Sequence, residues 1–351
     1  MPQPSLWENI KILYIGSTDP QSNSFRRYRS LQELGLEVHA VNIDEFIYHS
    51  SFSSLHHRLN FGPGIFKLNR SVREAARKFV PDLVWVDNKP FITAKTILYS
   101  RQILPNVKWI NLVTDDPTGR YKKAWRLFKS TASLYDMHFV QRIENIEEVK
   151  AYAAKRVELC FRSYDPFFHQ PIQPDDADLA KYKAQVGFIG TYEQERENSI
   201  ACLIEQGIAV QVTGDGWPKG KHWEKIKPYY TGPSVYGNEY VKRLNAMGIA
   251  LHFLRHANRD GQDSRTFEIP ACRVFMIAER SKLHEQFFAE DKEAVFFDNN
   301  EELVNKVKFY IDQPELRYRI AEEGFRRCTQ SGYSHKARLT EVLNKIYEPG
   351  R

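Results

Sequence analysis

The chain alternates short apolar runs with stretches of helical periodicity, and this alternation constrains its fold more than any other feature. "KILYIG" (11–16) predicts a buried strand, and "SFRRYRSLQELG" (24–35) predicts an amphipathic helix that ends at Gly35. Further apolar runs, each with enough chain around it for a helix, predict strands at 37–42, 82–87, 109–115, 137–140 and 156–160. Such an alternation is typical of a parallel, doubly wound sheet.

The same alternation restarts after a polar stretch rich in proline and aspartate. "HQPIQPDDADLAKYKAQ" (169–185) shows no clear periodicity and is interpreted as a linker. Beyond it, strands are predicted at 186–190, 209–216, 249–254, 274–278 and 294–298, and a closing helix at 331–348. Because 351 residues also exceed what one core usually supports, the sequence predicts two α/β domains in tandem.

The composition excludes several other classes of protein. A hydrophobic fraction of 42% is too high for a disordered chain, yet no apolar stretch approaches the roughly 20 residues that a membrane-spanning helix needs. The N-terminus lacks the pattern of a signal peptide. The four cysteines are scattered and predict neither a disulfide framework nor a zinc site: Cys160, Cys202, Cys272 and Cys328. We therefore expect a soluble, cytoplasmic protein.

A basic segment, "RYKKAWRLFK" (120–129), stands out in a chain whose net charge is only +6. If the segment is helical, it presents a basic surface that could meet an anionic acceptor, a lipid phosphate or a nucleic acid backbone. The simpler alternative, which this composition favours, is a solvated helix face. No zinc-finger, RNP-like or basic-zipper pattern occurs in the sequence, so DNA is not an expected partner.

Polar residues and glycines follow several of the predicted strands. In doubly wound sheets ligands bind at the carboxyl ends of the strands, so these residues are candidates for a site in a cleft between the domains. In the first domain they include Asp87, Asp115 and Asp116, and in the second Gly190, Thr191, Gly214, Gly216, Trp217, Arg255 and Asn258. The chain lacks both G-x-G-x-x-G and the P-loop pattern, and "GDG" at 214–216 alone could be a tight turn.

The segment "DGQDSRTFEIPACRVFMIAER" (260–280) places an unusual number of charges directly before an apolar strand. With "VGFIGTYEQER", "VTGDGW" and the region that ends in "EEGFRR", it resembles the C-terminal domain of the CgeB-like glycosyltransferases, which belong to the GT-B superfamily. The resemblance covers most of 186–335. Over the N-terminal half it depends on "TDDP", "RIENIEEVK" and "SYDPFFHQP".

The resemblance implies a GT-B fold, with two Rossmann-like, doubly wound domains that face each other across a cleft. Residues 1–175 would form the acceptor-side domain and 176–335 the domain that binds a nucleotide-sugar donor. Residues 336–351 would form a helix that returns toward the N-terminal domain. GT-B enzymes commonly work without a bound metal, so neither a metal nor any other cofactor is expected.

The resemblance also assigns roles to the charged segment. Asp260 and Glu268 have the spacing of the acidic pair that many retaining GT-B enzymes carry. Glu268 would accept hydrogen bonds from the ribose hydroxyls, Asp260 would lie near the sugar or the phosphates, and Arg255 and Arg265 would neutralise the leaving nucleotide. The helix start near Pro270, or one turn earlier, would face the diphosphate. The remaining residues of this segment predicted to bind the donor are Ser264, Thr266 and Phe267.

Three positions allow alternative interpretations: Arg265, Arg273 and the aspartates that follow the strands of the first domain. Spacing alone also allows Arg265 to form a structural ion pair with Asp263 or Glu268. Many GT-B sequences have glycine where this chain has Arg273, so either the turn differs or the arginine side chain reaches the cleft. Asp116, with Asp115 or Asp87 as alternatives, is predicted to act near the acceptor hydroxyl, although "DDP" is also a good turn opener.

The sequence thus predicts a glycosyltransferase that moves a sugar from a nucleotide-sugar to an unidentified acceptor, which could be a glycan, a protein or a lipid-linked molecule. The first alternative is a catalytically silent GT-B module that binds a glycan or a protein partner. A second alternative is a nucleotide-sugar epimerase of GT-B shape, which would need no separate acceptor.

Overall fold

A computed structural model describes residues 7–48, 56, 60–88, 91–120 and 122–347 of the chain. Its contacts divide the chain into two compact units. The first unit runs to Phe161 and also contains residues 257–259 and the chain from His335 onward. The second unit consists of Arg162–His256 and Asp260–Ser334.

The first unit is built on a six-stranded parallel sheet whose order is β2-β1-β3-β4-β5-β6. Its strands are β1 (Lys11–Gly16), β2 (Glu37–Asn42), β3 (Leu83–Asp87), β4 (Lys108–Val113), β5 (Met137–Val140) and β6 (Val157–Leu159). Its helices are α1 (Asn23–Glu33), α2 (Pro63–Phe79), α3 (Ala94–Ile103), α4 (Arg126–Thr131), α5 (Glu144–Lys150) and α14 (His335–Tyr347). Short 3-10 helices lie at Lys122–Trp125 and Ala132–Leu134.

The second unit is built on another six-stranded parallel sheet, in the order β12-β11-β10-β7-β8-β9. Its strands are β7 (Ala184–Ile189), β8 (Val210–Thr213), β9 (Tyr230–Gly232), β10 (Met247–His252), β11 (Met276–Glu279) and β12 (Val295–Phe297). Its helices are α6 (Asp176–Tyr182), α7 (Gln194–Glu205), α8 (Trp223–Ile226), α9 (Gly237–Asn245), α10 (Arg265–Ala271), α11 (Lys282–Phe287), α12 (Asn300–Ile311) and α13 (Pro314–Gln330).

The first β-α-β passage shows why the predicted elements form. The side chain of Ser22 accepts a hydrogen bond from the Phe25 amide and so caps the start of α1. At the other end Gly35 has a φ of +84°, a left-handed conformation that glycine adopts without strain. Between these ends Leu31 is fully buried. The strands and the helix predicted for this passage are confirmed.

One prediction of local structure was wrong, and one strand was missed. The proposed linker contains a helix, α6, because Asp175 accepts a hydrogen bond from the Asp178 amide and caps it, and β7 already begins at Ala184. The strand β9 was not predicted, since its three residues, Tyr230–Gly232, are too few to show a period of two.

The closing helix α14 belongs to the first unit. Its apolar residues Leu339, Leu343 and Ile346 share a hydrophobic cluster with the strands of the first sheet. The indole of Trp7 also donates a hydrogen bond to the Asn344 side chain, at 2.6 Å. The acceptor and donor roles that the resemblance gave to the two domains stay predictions.

In the second sheet the strand order changes direction at β7, which lies between β10 and β8. The chain therefore leaves β7 and β10 at adjacent positions on the carboxyl edge of the sheet. Such a switch point is where open α/β sheets bind their ligands. It brings the residues after Ile189 near those after His252.

Candidate functional site

The loops that follow β7 and β8 touch each other through glycine. A Cβ atom on Gly214, whose φ is +150°, would lie only 1.9 Å from the carbonyl oxygen of Gly190. The same carbonyl accepts a hydrogen bond from the indole of Trp217, at 2.9 Å. Gly216 has a φ of +85°, which turns the chain toward this tryptophan. Trp217 is fully buried, so it holds the Gly190 loop in place and presents no surface to a ligand.

A buried arginine that the sequence analysis did not single out joins the loops at the switch point. The guanidinium of Arg196 donates to the carbonyl oxygens of Thr191, at 3.0 Å, and Phe253, at 3.1 Å. The residue is only 5% exposed, and its Nε has no hydrogen-bond partner among the described residues. Burial lowers the pKa of Arg196, and the neighbouring cation Arg265 lowers it further. The sequence signal was present, since this arginine ends the quoted "VGFIGTYEQER".

Two predicted arginines lie near this residue and have acidic or carbonyl partners. The Nε of Arg255 donates to Glu193, at 2.8 Å. The Nε of Arg265 donates to the carbonyl of Ile189, at 2.8 Å, and its Nη1 lies 3.6 Å from the Asp263 carboxylate. Of the two structural ion pairs that spacing left open for Arg265, the structure shows the pair with Asp263.

Glu268 lies on α10 and is only 7% exposed. Its Oε2 accepts a hydrogen bond from the Tyr240 hydroxyl, at 2.9 Å, and its Oε1 lies 3.7 Å from His169 Nε2. Burial raises the pKa of Tyr240 well above its usual range, and the negative charge of Glu268 raises it further. Tyr240 and His169 are partners of Glu268 that sequence reasoning missed, because each lies far from Glu268 along the chain.

The helix that carries Glu268 begins at Arg265, and Pro270 lies inside it. The helix therefore starts about one turn before the proline, which is the earlier of the two predicted starts. Thr266 and Phe267 are fully buried: the Thr266 hydroxyl is 2.9 Å from His284 Nε2, and Phe267 packs on other aromatic rings. These two residues support the helix from inside the unit. Ser264 is half-buried at the N-cap position.

A buried network fixes the turn that precedes this helix. The carboxylate of Asp263 accepts from the Arg265 amide, at 2.7 Å, and lies 3.0 Å from His252 Nε2. Burial raises the pKa of Asp263, but the charges of His252 and Arg265 outweigh burial, so this pKa lies well below its usual range. Burial also lowers the pKa of His284 to about 3. The carboxylate and the two imidazoles thus form a stable support beneath Arg265.

Asn258 groups with the first unit, whereas the other residues predicted to bind the donor group with the second. The carbonyl of Asn258 accepts a hydrogen bond from Arg142 Nε, at 2.6 Å. Asp260 groups with the second unit, is half-buried, and donates its amide to the carbonyl of Arg255, at 3.3 Å.

In the first unit, arginines hold two of the three candidate catalytic carboxylates. Asp87 is buried and accepts from Arg27 Nε and Nη2, both at 2.7 Å. Asp116 accepts from Arg259 Nε and Nη2, at 2.7 and 2.8 Å. Burial raises the pKa of Asp116, but hydrogen bonds from Arg259 and Asn145 outweigh it and hold this pKa well below its usual range.

Asp115 differs from the other two carboxylates. Its side chain is exposed and accepts a hydrogen bond from Asn88 Nδ2, at 3.0 Å. In return, the Asn88 side-chain oxygen accepts from the Asp115 amide, at 3.2 Å. In the described part of the chain no cation forms an ion pair with Asp115, so of the three its carboxylate is the most accessible to a ligand.

Arg273 has the backbone conformation of a glycine position, and its side chain contacts a neighbouring helix. Its φ is +56°, so the turn keeps the left-handed conformation that glycine would favour. The side chain packs on α13, where its Nε lies 3.0 Å from Glu322 and its guanidinium lies over the Phe325 ring, at 4.4 Å. The arginine therefore contributes to the packing of α13.

The described residues contain neither a metal-binding cluster nor a membrane-spanning helix. No cluster of three or more His, Cys, Asp or Glu side chains has an arrangement that could hold a metal ion. No helix among these residues has both the length and the apolar character needed to cross a membrane. Independence from metals and other cofactors stays a prediction.

Comparisons with known proteins agree with this architecture. Residues 196–344 match the profile of a family described as "Glycosyl transferase-like". Sucrose-phosphate synthase from Thermosynechococcus elongatus is similar in structure, with a TM-score of 0.66 at 10% identity over 96% of this chain and 99% of that one. HepE from Anabaena, solved in complex with UDP and glucose, has a TM-score of 0.62 at 10% identity and the same coverage.

A UDP-N-acetylglucosamine 2-epimerase homologue from Listeria monocytogenes, described as putative, is similar at a TM-score of 0.53 and 10% identity, over 98% of both chains. No curated protein matches the chain in sequence. The chain therefore has the GT-B fold, two α/β units each built on a six-stranded parallel sheet, and its residues 196–344 match a glycosyl transferase-like profile.

Proposed function

We propose that the protein is a CgeB-like glycosyltransferase that takes a sugar from a nucleoside-diphosphate sugar. The donor binds at the carboxyl edge of the second sheet, and the first unit holds the acceptor. One observation carries this proposal: three arginines, Arg196, Arg255 and Arg265, and the buried carboxylate of Glu268 lie around the ends of β7 and β10. The complex of HepE with UDP and glucose supports the choice of donor class.

The charges in this region match the parts of such a donor. A leaving nucleoside diphosphate carries negative charge that fixed guanidinium groups stabilise in the transition state. Arg196 is best placed to remain fixed, because the carbonyls of Thr191 and Phe253 hold it inside the unit. Glu268 offers paired acceptor oxygens and no competing donor, which suits the two hydroxyls of a ribose. The proposed reaction uses these side chains and no metal.

On the acceptor side, we propose Asp115 in preference to Asp116 or Asp87. A general base must take up a proton, and a carboxylate held by a bidentate arginine does so poorly because the ion pair stabilises its charged form. Asp115 has no such partner among the described residues. With saturating donor, Asp115→Asn should lower turnover by about 10²- to 10⁴-fold if the enzyme inverts, or raise the acceptor KM if it retains. Unchanged kinetics would remove Asp115 from the proposal.

The proposal is tested by Glu268→Gln, with Tyr240→Phe as the matched control. Both changes affect the same 2.9 Å hydrogen bond, but only the first removes the carboxylate. Charge-assisted hydrogen bonds contribute about 1.5–3 kcal/mol, so Glu268→Gln should weaken UDP binding by about 10- to 100-fold. Tyr240→Phe should lower the melting temperature and change UDP affinity much less. Wild-type UDP affinity in Glu268→Gln would contradict the donor site.

Two alternatives remain, and one set of assays separates them. A silent GT-B module would bind a glycan or a protein and neither hydrolyse nor transfer from a nucleotide-sugar. An epimerase, a class represented by the similar Listeria protein, would convert a nucleotide-sugar without any acceptor.

The four cysteines are free thiols in the structure, and we propose a reducing, cytoplasmic location on that basis.

A further inference from the structure

We propose that the first unit docks on the surface of a membrane that contains anionic lipids, through a surface formed by Phe61, Phe66, Lys122, Lys123 and Arg126. We call this set the docking surface. The inference does not depend on the proposed transferase, because it concerns binding to lipid and can be measured without a donor. It gives the basic segment 120–129, which the donor site does not use, a partner of defined chemistry.

The aromatic part of the docking surface results from the way α2 is buried. Ile65, Leu68 and Val72 face the core, so Phe66 points to the other side of the helix and is 54% exposed. Phe61, which precedes the N-cap Gly62, is 62% exposed, and the two rings touch edge to face with centroids 5.0 Å apart. Two exposed phenylalanines in contact form a contiguous apolar patch, and such patches mark binding surfaces more often than isolated exposed rings do.

The basic part is anchored from below by its own aromatic residues. Trp125 and Phe128 are buried in a small hydrophobic cluster, with ring centroids 5.4 Å apart, which fixes the segment that carries the exposed cations. Lys122, Lys123 and Arg126 are exposed, and in the described part of the chain none of them forms an ion pair with a carboxylate. The sequence from Thr118 to Tyr135 contains no acidic residue. Lys122, Lys123 and Arg126 therefore present positive charge that no carboxylate of the described residues pairs with.

A hydrogen bond brings the two parts together. The side-chain oxygen of Asn60 accepts from the Leu127 amide, at 3.1 Å, and thereby caps the first turn of α4. Phe61 and Arg126 are the chain neighbours of these two residues, so the exposed rings and the cations lie on adjoining surface. Aromatic side chains beside cations are the composition of interfacial anchors, in which rings enter the acyl boundary and cations meet anionic headgroups.

The aromatic geometry favours a membrane over a nucleic acid. Single-stranded nucleic acids bind by stacking successive bases on ring faces. The two rings here are inclined at 87°, so they do not offer a pair of parallel faces to consecutive bases. Phenylalanine also has no polar atom to reach a base edge. Partition into an apolar phase requires neither parallel faces nor hydrogen bonds.

The test is co-sedimentation of the full chain with vesicles of phosphatidylcholine, alone or mixed with phosphatidylglycerol. We expect binding to the mixed vesicles only. Each cation near an anionic surface contributes about fivefold, so changing Lys122, Lys123 and Arg126 together to Gln should weaken binding by about 100-fold. Changing Phe61 and Phe66 to Ser should weaken it by about tenfold or more. Melting temperatures check that the variants are folded.

Two controls and one direct probe make the result decisive. The control variant changes the exposed Lys282, Lys292 and Lys308 of the second unit to Gln, which alters the net charge equally and should leave binding unchanged. The variant Phe61→Trp places an additional indole in the docking surface. When the mixed vesicles contain brominated lipids, the tryptophan fluorescence of this variant should be quenched more than that of the unchanged protein. Any of three outcomes would overturn the proposal. The two charge variants could lose binding equally, the Phe61→Trp variant could show no extra quenching, or a single-stranded oligonucleotide could displace the protein from the vesicles.

Discussion

Asp87 is predicted to act in stability and not in catalysis, and Asp87→Asn tests this. The side chains of Asp87 and Arg27 are 0% and 9% exposed and share two hydrogen bonds of 2.7 Å. An asparagine can accept only one of these bonds, and its amide group then faces the second donor. The guanidinium is left buried without a counter-charge. Breaking a buried pair in this way costs about 3–5 kcal/mol.

The expected cost is large enough to measure by thermal and urea unfolding. For a unit of this size each kcal/mol lowers the melting temperature by about 2–4 °C, so the shift should be about 6 to 20 °C. Arg27→Met combined with Asp87→Asn should recover part of this loss, because no unpaired cation remains in the interior. An unchanged melting temperature, together with lost turnover per folded molecule, would refute the reasoning and return Asp87 to the candidate bases.

The remaining predictions concern strain and acid. Arg273→Gly should be about 1 kcal/mol more stable than Arg273→Ala in urea, since both lose the Glu322 contact but only glycine accepts the φ of +56° without strain. Equal midpoints would contradict this. Hydrogen bonds from Arg259 lower the pKa of Glu148 to about 2, so stability that is present above about pH 4.5 should be lost as the pH falls toward 2. The variant Arg259→Gln should be less stable than the unchanged protein at neutral pH, and its stability should fall less between pH 4.5 and about 2. If stability falls in parallel with pH in the two proteins, the ion cluster of Arg259, Glu148 and Asp116 is not the cause.

Much of the fold was predictable because each element has its own local signal. The apolar run "KILYIG" became β1, and Ser22 and Gly35 mark the ends of α1 through the hydrogen bond and the backbone conformation that those residue types favour. The failures have equally local causes. The cap of α6 was hidden in a run of prolines and aspartates, and β9 is too short to show a period.

The sequence also located the region of the candidate site, because glycines and charges cluster after predicted strands. It did not predict which side chains in that region face solvent. Thr266 and Phe267 were grouped with Glu268, yet their side chains are fully buried against His284 and other aromatic rings, and such partners cannot be read from neighbouring residues in the sequence. Arg196 was not identified individually, because nothing in its sequence neighbourhood shows that its partners are the carbonyls of Thr191 and Phe253.

By itself, then, the sequence determined the two α/β units, the direction of their strands and the charged segment around Glu268. Only the tertiary structure decided the partners of the charges. Arg27 meets Asp87, and Arg259 meets Asp116, across long separations in the chain. Strands and caps arise from interactions within a few residues, whereas an ion pair depends on where the sheet delivers two distant loops. That difference is why three equivalent aspartates in the sequence became two structural partners of arginine and one exposed carboxylate.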